Sequence, residues 1–193
     1  MGVSERRERD KEAIKNLIID RAYEMIENEG VENLSIRKIA KAIEYSPMTI
    51  YGYFKNKEEI LFSISMRAYD HFLEKSNLYL QQEPEERIKS RLREYLNFGI
   101  SNPNIYKAIW SSGFSGEGST NRIFRKYGID MLCSDIREGI EKKIFKAVDA
   151  EVYSVIIWAS IHGLTQTLLD ENNPASTELQ ISSLNNLIIG GLK

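Results

Sequence analysis

Thr49, Tyr51 and Lys57 place a hydroxyl, a phenol and an ammonium in one short stretch of chain. Groups of this kind bond phosphate oxygens and base edges. Elsewhere the sequence offers little for catalysis. Its two histidines, His71 and His162, are far apart, and there is no HExxH motif, Glu-x-x-His metal pair or Gly-rich phosphate loop. The carboxylate pairs Glu58-Glu59 and Glu85-Glu86 fall in first turns of expected helices, where they complement the helix dipole. A single cysteine, Cys133, excludes an intramolecular disulfide and a Cys-cluster zinc site, and reads as a small helical filler. No enzymatic activity, metal or cofactor is therefore expected.

Three consecutive helix starts position the polar groups. Ser35 can cap a first short helix, with Leu34 stapled onto Ile39. Ile36, Ile39, Ala40 and Ile43 then form its buried stripe, leaving Arg37, Lys38 and Lys41 outside. Ser46 caps the second, Pro47 takes the first helical position and Tyr45 staples onto Ile50. With Ile50 and Phe54 inward, steps of about 100° per residue turn Met48 and Gly52 outward and put Thr49 and Tyr51 on the flanks. Asn56 caps the third, with Glu59 at the capping-box position. Lys57 beside that N-terminus makes a phosphate seat from an ammonium and backbone N–H groups. Two short helices joined by a tight turn have the layout of a DNA-reading helix-turn-helix, whose outward face enters the major groove. Charge agrees locally: residues 33–57 carry five basic side chains against Glu44, a net +4, in a chain of net charge −2. One basic patch on an acidic chain fits a reading head attached to a body with another task.

The run Ile39-Ala40, Tyr45-Ser46, Thr49-Ile50-Tyr51, Tyr53-Phe54, Asn56-Lys57-Glu58 and Leu61 resembles the N-terminal DNA-binding domain of the TetR family of bacterial transcriptional regulators. The resemblance covers about Lys15 to Leu61, roughly a quarter of the chain. It implies DNA contacts from Arg37, Ser46, Pro47, Met48, Thr49, Tyr51, Tyr53 and Lys57. Tyr51, Tyr53 and Lys57 would bond phosphates, and Pro47, Met48 and Thr49 would face base edges. Glu44 stands where the family commonly has a glycine in the turn, a position that favours φ > 0. Pro47 and Met48 bond hydrogen poorly, so reading there rests on apolar contact, with Thr49 and DNA shape adding specificity.

Beyond the head every segment reads as helix, with Gly and Pro between segments. The expected helices are Asp10–Glu29, the two short ones, Lys57–Gln81, one opened by Pro84, one opened by Pro103, Thr120–Ile140, Asp149–Leu169 and Thr177–Ile189. A polar loop spans Ser111–Ser119. The fold class is all-α, about nine helices, with a head at residues 1–56 and an effector-binding and dimerisation bundle at 57–193. Tyr95, Phe98, Trp110, Phe114, Phe124, Tyr127 and Trp158 supply an aromatic density that suits either a cavity for an apolar or aromatic small molecule or plain core. Trp158 and His162, four apart, share one helix face, and Trp158-x-x-x-His162-Gly163 is similar to a signature of one TetR subgroup. His162 is either a ligand-binding group or a hydrogen-bonded core or interface histidine. The family likeness implies a homodimer through the last two helices, with Gly163, Leu164, Leu168, Leu184, Leu187, Ile188 and Leu192 as candidates.

At 193 residues and 42% hydrophobic content the chain can bury a real core. Its longest uncharged run, Val152–Leu169, contains Ser, Thr, Gln and His, against a membrane span. The charged start MGVSERRERDKE has no apolar signal core, and the cysteine usage fits a reducing compartment, the cytoplasm. The expectation is a ligand-responsive regulator, most simply a repressor, that binds an inverted-repeat operator in double-stranded DNA as a homodimer and is released by a small effector. A helical protein–protein adaptor is the alternative; it leaves Tyr51, Tyr53 and Lys57 without a reason.

Overall fold

In a computed structural model that describes residues 3–110, 120–171 and 177–193, the described residues form nine α-helices and one 3-10 turn, without a strand. The helices are α1 (Val3–Glu29), α2 (Ile36–Ala42), α3 (Pro47–Tyr51), α4 (Lys57–Asn77), α5 (Pro84–Ser101), α6 (Pro103–Trp110), α7 (Thr120–Glu141), α8 (Ala150–Glu171) and α9 (Thr177–Leu192). The expected loop at Ser111–Ser119 lies outside the described residues.

α1 begins seven residues before the expected Asp10. Residues 5–13 are exposed on every side, so no core holds this extension. It is built from Glu, Arg and Lys, strong helix formers whose opposite charges alternate along the helix. The buried stripe further on is Ile18, Ile19, Ala22 and Ile26, while the equally apolar Leu17 is 42% exposed. Gly30 ends the helix at φ 83, a backbone conformation that disfavours other residues. α4 stops at Asn77, and three successive tight turns carry Leu78, Tyr79 and Leu80 onward.

The chain divides into two compact units, and the division falls within α4. The first runs to Ala68 and includes α6 from Asn104. Its core is Ile18, Ala22 and Ile26 of α1, Leu34, Ile39 and Ala40 around α2, Ile50, Phe54, and Ile60 and Ile64 of α4, all buried. Each buried Leu, Ile or Phe among them contributes about 1.5–3 kcal/mol by leaving water. Asn104 of α6 donates to the Glu27 carbonyl at 2.8 Å, tying α6 to α1.

The second unit holds Tyr69–Pro103 and the chain from Asn121 onward. α5 packs on both α8 and α9, and those two pack on each other. α5 carries Ile88, Leu92, Tyr95 and Leu96 inward, and α7 carries Leu132 and Ile136. Charged residues share the buried face of α5. Arg87 Nε lies 2.9 Å from Asp135 Oδ1 and Arg91 Nε 2.8 Å from Asp135 Oδ2, with all three side chains buried. Burial raises the Asp135 carboxyl above its ordinary range, against the downward pull of Arg91 and Arg87.

Candidate nucleic-acid interface and aromatic core

All three expected caps are present. Ser35 Oγ accepts from Lys38 N at 3.2 Å, Ser46 Oγ from Thr49 N at 3.1 Å, and Asn56 Oδ1 from Glu59 N at 2.9 Å. Glu59 reaches back to accept from Lys55 N at 2.6 Å, completing a capping box displaced by one residue. Each cap contributes about 1 kcal/mol and fixes where its helix begins, hence which side chains point out.

With Ile50 and Phe54 buried, Met48 stands 79% exposed, and Pro47, Tyr51 and Gly52 are exposed beside it. Thr49 and Tyr53 are half-buried. The Thr49 hydroxyl is 3.0 Å from Ser46 Oγ, which holds its rotamer and leaves a lone pair or proton for a base edge. Arg37 is exposed on α2. Lys57 differs from the expectation of a phosphate seat alone: its Nζ donates to the Val31 carbonyl at 2.8 Å and ties the start of α4 to the 3-10 turn. Two of its three N–H groups remain for a phosphate. The eight residues therefore lie on α2, on α3 and its flanks, and at the start of α4.

Glu44 adopts φ 59. Tyr45 N donates to Ala40 O at 2.9 Å and Glu44 N to Lys41 O at 3.3 Å, so α2 ends in a Schellman motif with glutamate at the left-handed position. Glu44→Gly removes a cost of about 1–2 kcal/mol and adds a chain-entropy cost of about 0.5–1 kcal/mol. The variant is expected to gain about 0.5–1 kcal/mol, measured by urea unfolding; a lower urea midpoint would contradict this account of the turn.

The aromatic residues of the second unit form two groups. Tyr95 Oη and His162 Nδ1 are 2.8 Å apart, and the His162 ring stacks on Trp158 with centroids 4.8 Å apart and 16° between planes. Phe72 meets Tyr95 edge-on at 6.2 Å. The indole lies against Gly128, where a Cβ would come within 2.9 Å of Trp158 Cδ1, so a bare backbone is needed there. In the second group Phe124 stacks with Phe98 at 6.5 Å and meets Tyr69 at 4.9 Å; Tyr69 also meets Tyr127, which is otherwise exposed. Trp110 belongs to the first unit, 6.1 Å from Tyr106, and Phe114 lies outside the described residues. Tyr69, Arg91 and Met131 were not anticipated, although Arg87 and Arg91, four apart on an otherwise apolar stripe with Ile88 and Leu92, are a signal in the sequence.

Between Phe72, Arg91, Tyr95, Met131 and Trp158 a cavity of about 30 Å³ remains, room for about one water. Any larger guest must part these side chains. Burial lowers the His162 pKa and so favours the neutral ring beside the Tyr95 hydroxyl. The unfolded chain then binds a proton more readily than the folded one. Stability is complete above the unfolded value of about 6.5 and declines as pH falls below it, levelling once the folded ring also protonates. Tm measured between pH 7.5 and 5 should fall less steeply in His162→Gln than in the parent chain. Parallel curves would place the titration elsewhere.

The expected dimer residues separate sharply. Leu168, Ile188 and Leu192 are buried in the protomer's own core, because they line the sides of α8 and α9 that face the rest of the unit. They are therefore removed as partner contacts. Leu164 and Leu184 are half-buried, Leu187 is 74% exposed, and Gly163 is exposed with nothing within 4 Å of its Cβ position. Val152, Val155 and Ile156 are also exposed and lie on the helix face of Gly163. α8 is long and apolar enough to cross a membrane by length and composition, with mean hydropathy 1.3 over its most apolar window. Its exposed apolar residues form a stripe on one side.

Residues 18–64 match the family described as "Bacterial regulatory proteins, tetR family". The chain is 25% identical over 182 residues to the fatty acid metabolism regulator protein of Bacillus subtilis strain 168, covering 91% of this chain and 93% of that one. Among solved structures, the fatty acid degradation regulator FadR from Bacillus halodurans superimposes with a TM-score of 0.76 at 21% identity, over 93% of this chain and 96% of that chain. RolR in complex with resorcinol superimposes with a TM-score of 0.71 at 16% identity, over 95% and 89% of the two chains.

Proposed function

Because the chain belongs to the TetR family of bacterial regulatory proteins, which are DNA-binding regulators and not enzymes, we propose that it is a dimeric repressor of fatty-acid metabolism genes, released from its operator by an acyl-type effector. The observation that carries the DNA half is the short capped α3, which exposes Met48 and Tyr51 with Thr49 half-buried between them and Lys57 at the next helix start. Two such heads related by a two-fold axis would read half-sites about 34–36 Å apart, hence an inverted repeat in double-stranded DNA. The eight DNA-facing residues named above are the proposed contacts, with residues 1–56 as the head and 57–193 as the body.

The effector half rests on the match to a fatty acid metabolism regulator over 91% of this chain and on the apolar, aromatic interior around Tyr95, Trp158 and His162. Phe98 and Phe124, which stack on each other in the second aromatic group, are the further proposed contacts. α4 belongs to both units, so a guest that parts the side chains around Phe72 acts on the helix that begins beside the reading head. Effector and operator binding would then oppose each other with a coupling of about 1–3 kcal/mol. Dimerisation is assigned to the exposed apolar face of α8 and α9, and the protein would act in the cytoplasm, where its DNA is.

Selection of bound fragments from a random DNA pool tests this directly: an enriched inverted repeat supports the reading, and no enriched sequence would sink it. On the selected site Thr49→Ala should cost about 1–3 kcal/mol in a gel-shift titration while binding to unrelated DNA is unchanged. Equal losses on both would show that Thr49 does not read bases.

A further inference from the structure

Arg91 lies in the wall of the small cavity and is 6% exposed. Its Nε donates to Asp135 Oδ2 at 2.8 Å, and its Nη1 donates to Ser76 Oγ. Nη1 also donates to Met131 Sδ at 3.0 Å, and Met131 lines the same cavity. A thioether is a weak acceptor. A guanidinium N–H held against sulfur, out of water, falls well short of the bond that an anionic oxygen would provide.

The same cluster is short of negative charge. Arg87 and Arg91 share the one buried carboxylate, Asp135. Glu138, which bonds Arg87, is at the protein surface and is also paired with Lys142 at 2.9 Å. The buried part thus sets two guanidiniums against one carboxylate, an arrangement that costs stability unless something else compensates it. The rest of the wall, Phe72, Leu92, Tyr95, Trp158 and Ile161, is apolar or aromatic.

We infer that Arg91 is the head-group anchor for an amphipathic monocarboxylate, whose carboxylate displaces Met131 Sδ from the guanidinium and whose alkyl chain parts the aromatic side chains. This deepens the effector reading above and rests on it. Among the fully buried groups one surplus positive charge matches a monoanion, while a doubly charged phosphate would bring an uncompensated charge into the interior. The planar guanidinium fork suits two carboxylate oxygens. Met131 is the natural side chain to yield, being unbranched and flexible. The anchor is present in the closed state; the room for the tail is made by the guest.

Isothermal titration calorimetry of the full-length protein with decanoate, methyl decanoate and decanol decides the matter. Decanoate should bind at least about tenfold more tightly than the alcohol or the ester, the difference expected of a charge-assisted bond. Met131→Leu, which keeps the volume and removes the sulfur acceptor, should hold or widen that ratio; Arg91→Lys should narrow it to within about threefold. If all three ligands bind equally, the anchor is wrong while the effector reading stands. If none binds, the effector reading fails and the anchor with it. A ratio unchanged by Arg91→Lys, or narrowed by Met131→Leu, places the carboxylate elsewhere and overturns the inference, and the Met131 and parent-chain arms hold even if the lysine variant does not fold.

Discussion

Gly163→Leu is expected to leave each protomer folded and to abolish high-affinity operator binding. Nothing lies within 4 Å of a Cβ built at Gly163, so the protomer accommodates the side chain. Val152, Val155 and Ile156 lie two to three turns before it along the same exposed face of α8, with Leu187 exposed on α9. If this face meets its own copy across a two-fold axis, every substitution occurs twice in the interface. Forcing extra methylenes into a packed contact costs about 1–3 kcal/mol per site, so the dimer loses about twice that. Operator affinity falls further, since a lone head forfeits the second half-site, a loss of about 10²–10⁴-fold. Sedimentation velocity and a gel shift on the selected operator measure both, and an unchanged Tm at low concentration reports the intact fold. A variant that still sediments as the parent does would remove Gly163 from the interface.

The head was legible because its determinants are neighbours in sequence. A cap and the N–H it satisfies are three residues apart, as at Ser46 and Thr49, so the helix starts, and with them the exposed face at Met48, follow from local chemistry. The left-handed turn could be located the same way, and Glu44 adopts it despite the cost. The body obeys longer-range terms. Leu187 and Ile188 are adjacent and equally apolar, yet one is 74% and the other 8% exposed, because the pairing of α9 with α5 and α8 decides which side of the helix is covered. Trp110 reads like the other aromatics but falls in the first unit with α6. On α1 Leu17 is exposed and Ile19 buried for a related reason: a stripe of similar side chains does not state its phase until a partner is packed on it. The extended start of α1 is not legible in the sequence because a polar helix with no buried face has no periodicity to read.

The buried ion cluster is where stability and ligand recognition meet, and Asp135 is its keystone residue in both respects. Asp135→Ala leaves Arg87 and Arg91 facing each other inside the protein, with Glu138 and the Leu80 carbonyl still bonding Arg87 and Ser76 and Met131 still bonding Arg91. Removing one member of a buried ion pair typically costs about 3–5 kcal/mol, since the remaining charge is stranded. For a chain of this size that is a fall in Tm of roughly 2–4 °C per kcal/mol. Glu138→Ala, at the protein surface, should cost about 1 kcal/mol or less. Replacing the whole set, Arg87→Met with Arg91→Leu and Asp135→Leu, exchanges three desolvated charges for apolar contacts and should restore parental stability or exceed it. Thermal unfolding of the three variants separates the cases. If the triple variant is as unstable as Asp135→Ala, the charges are structurally required and their energetics differ from those of buried ion clusters generally. If it is stable but no longer prefers decanoate to decanol, the cluster is retained at a cost to the fold for the sake of the ligand.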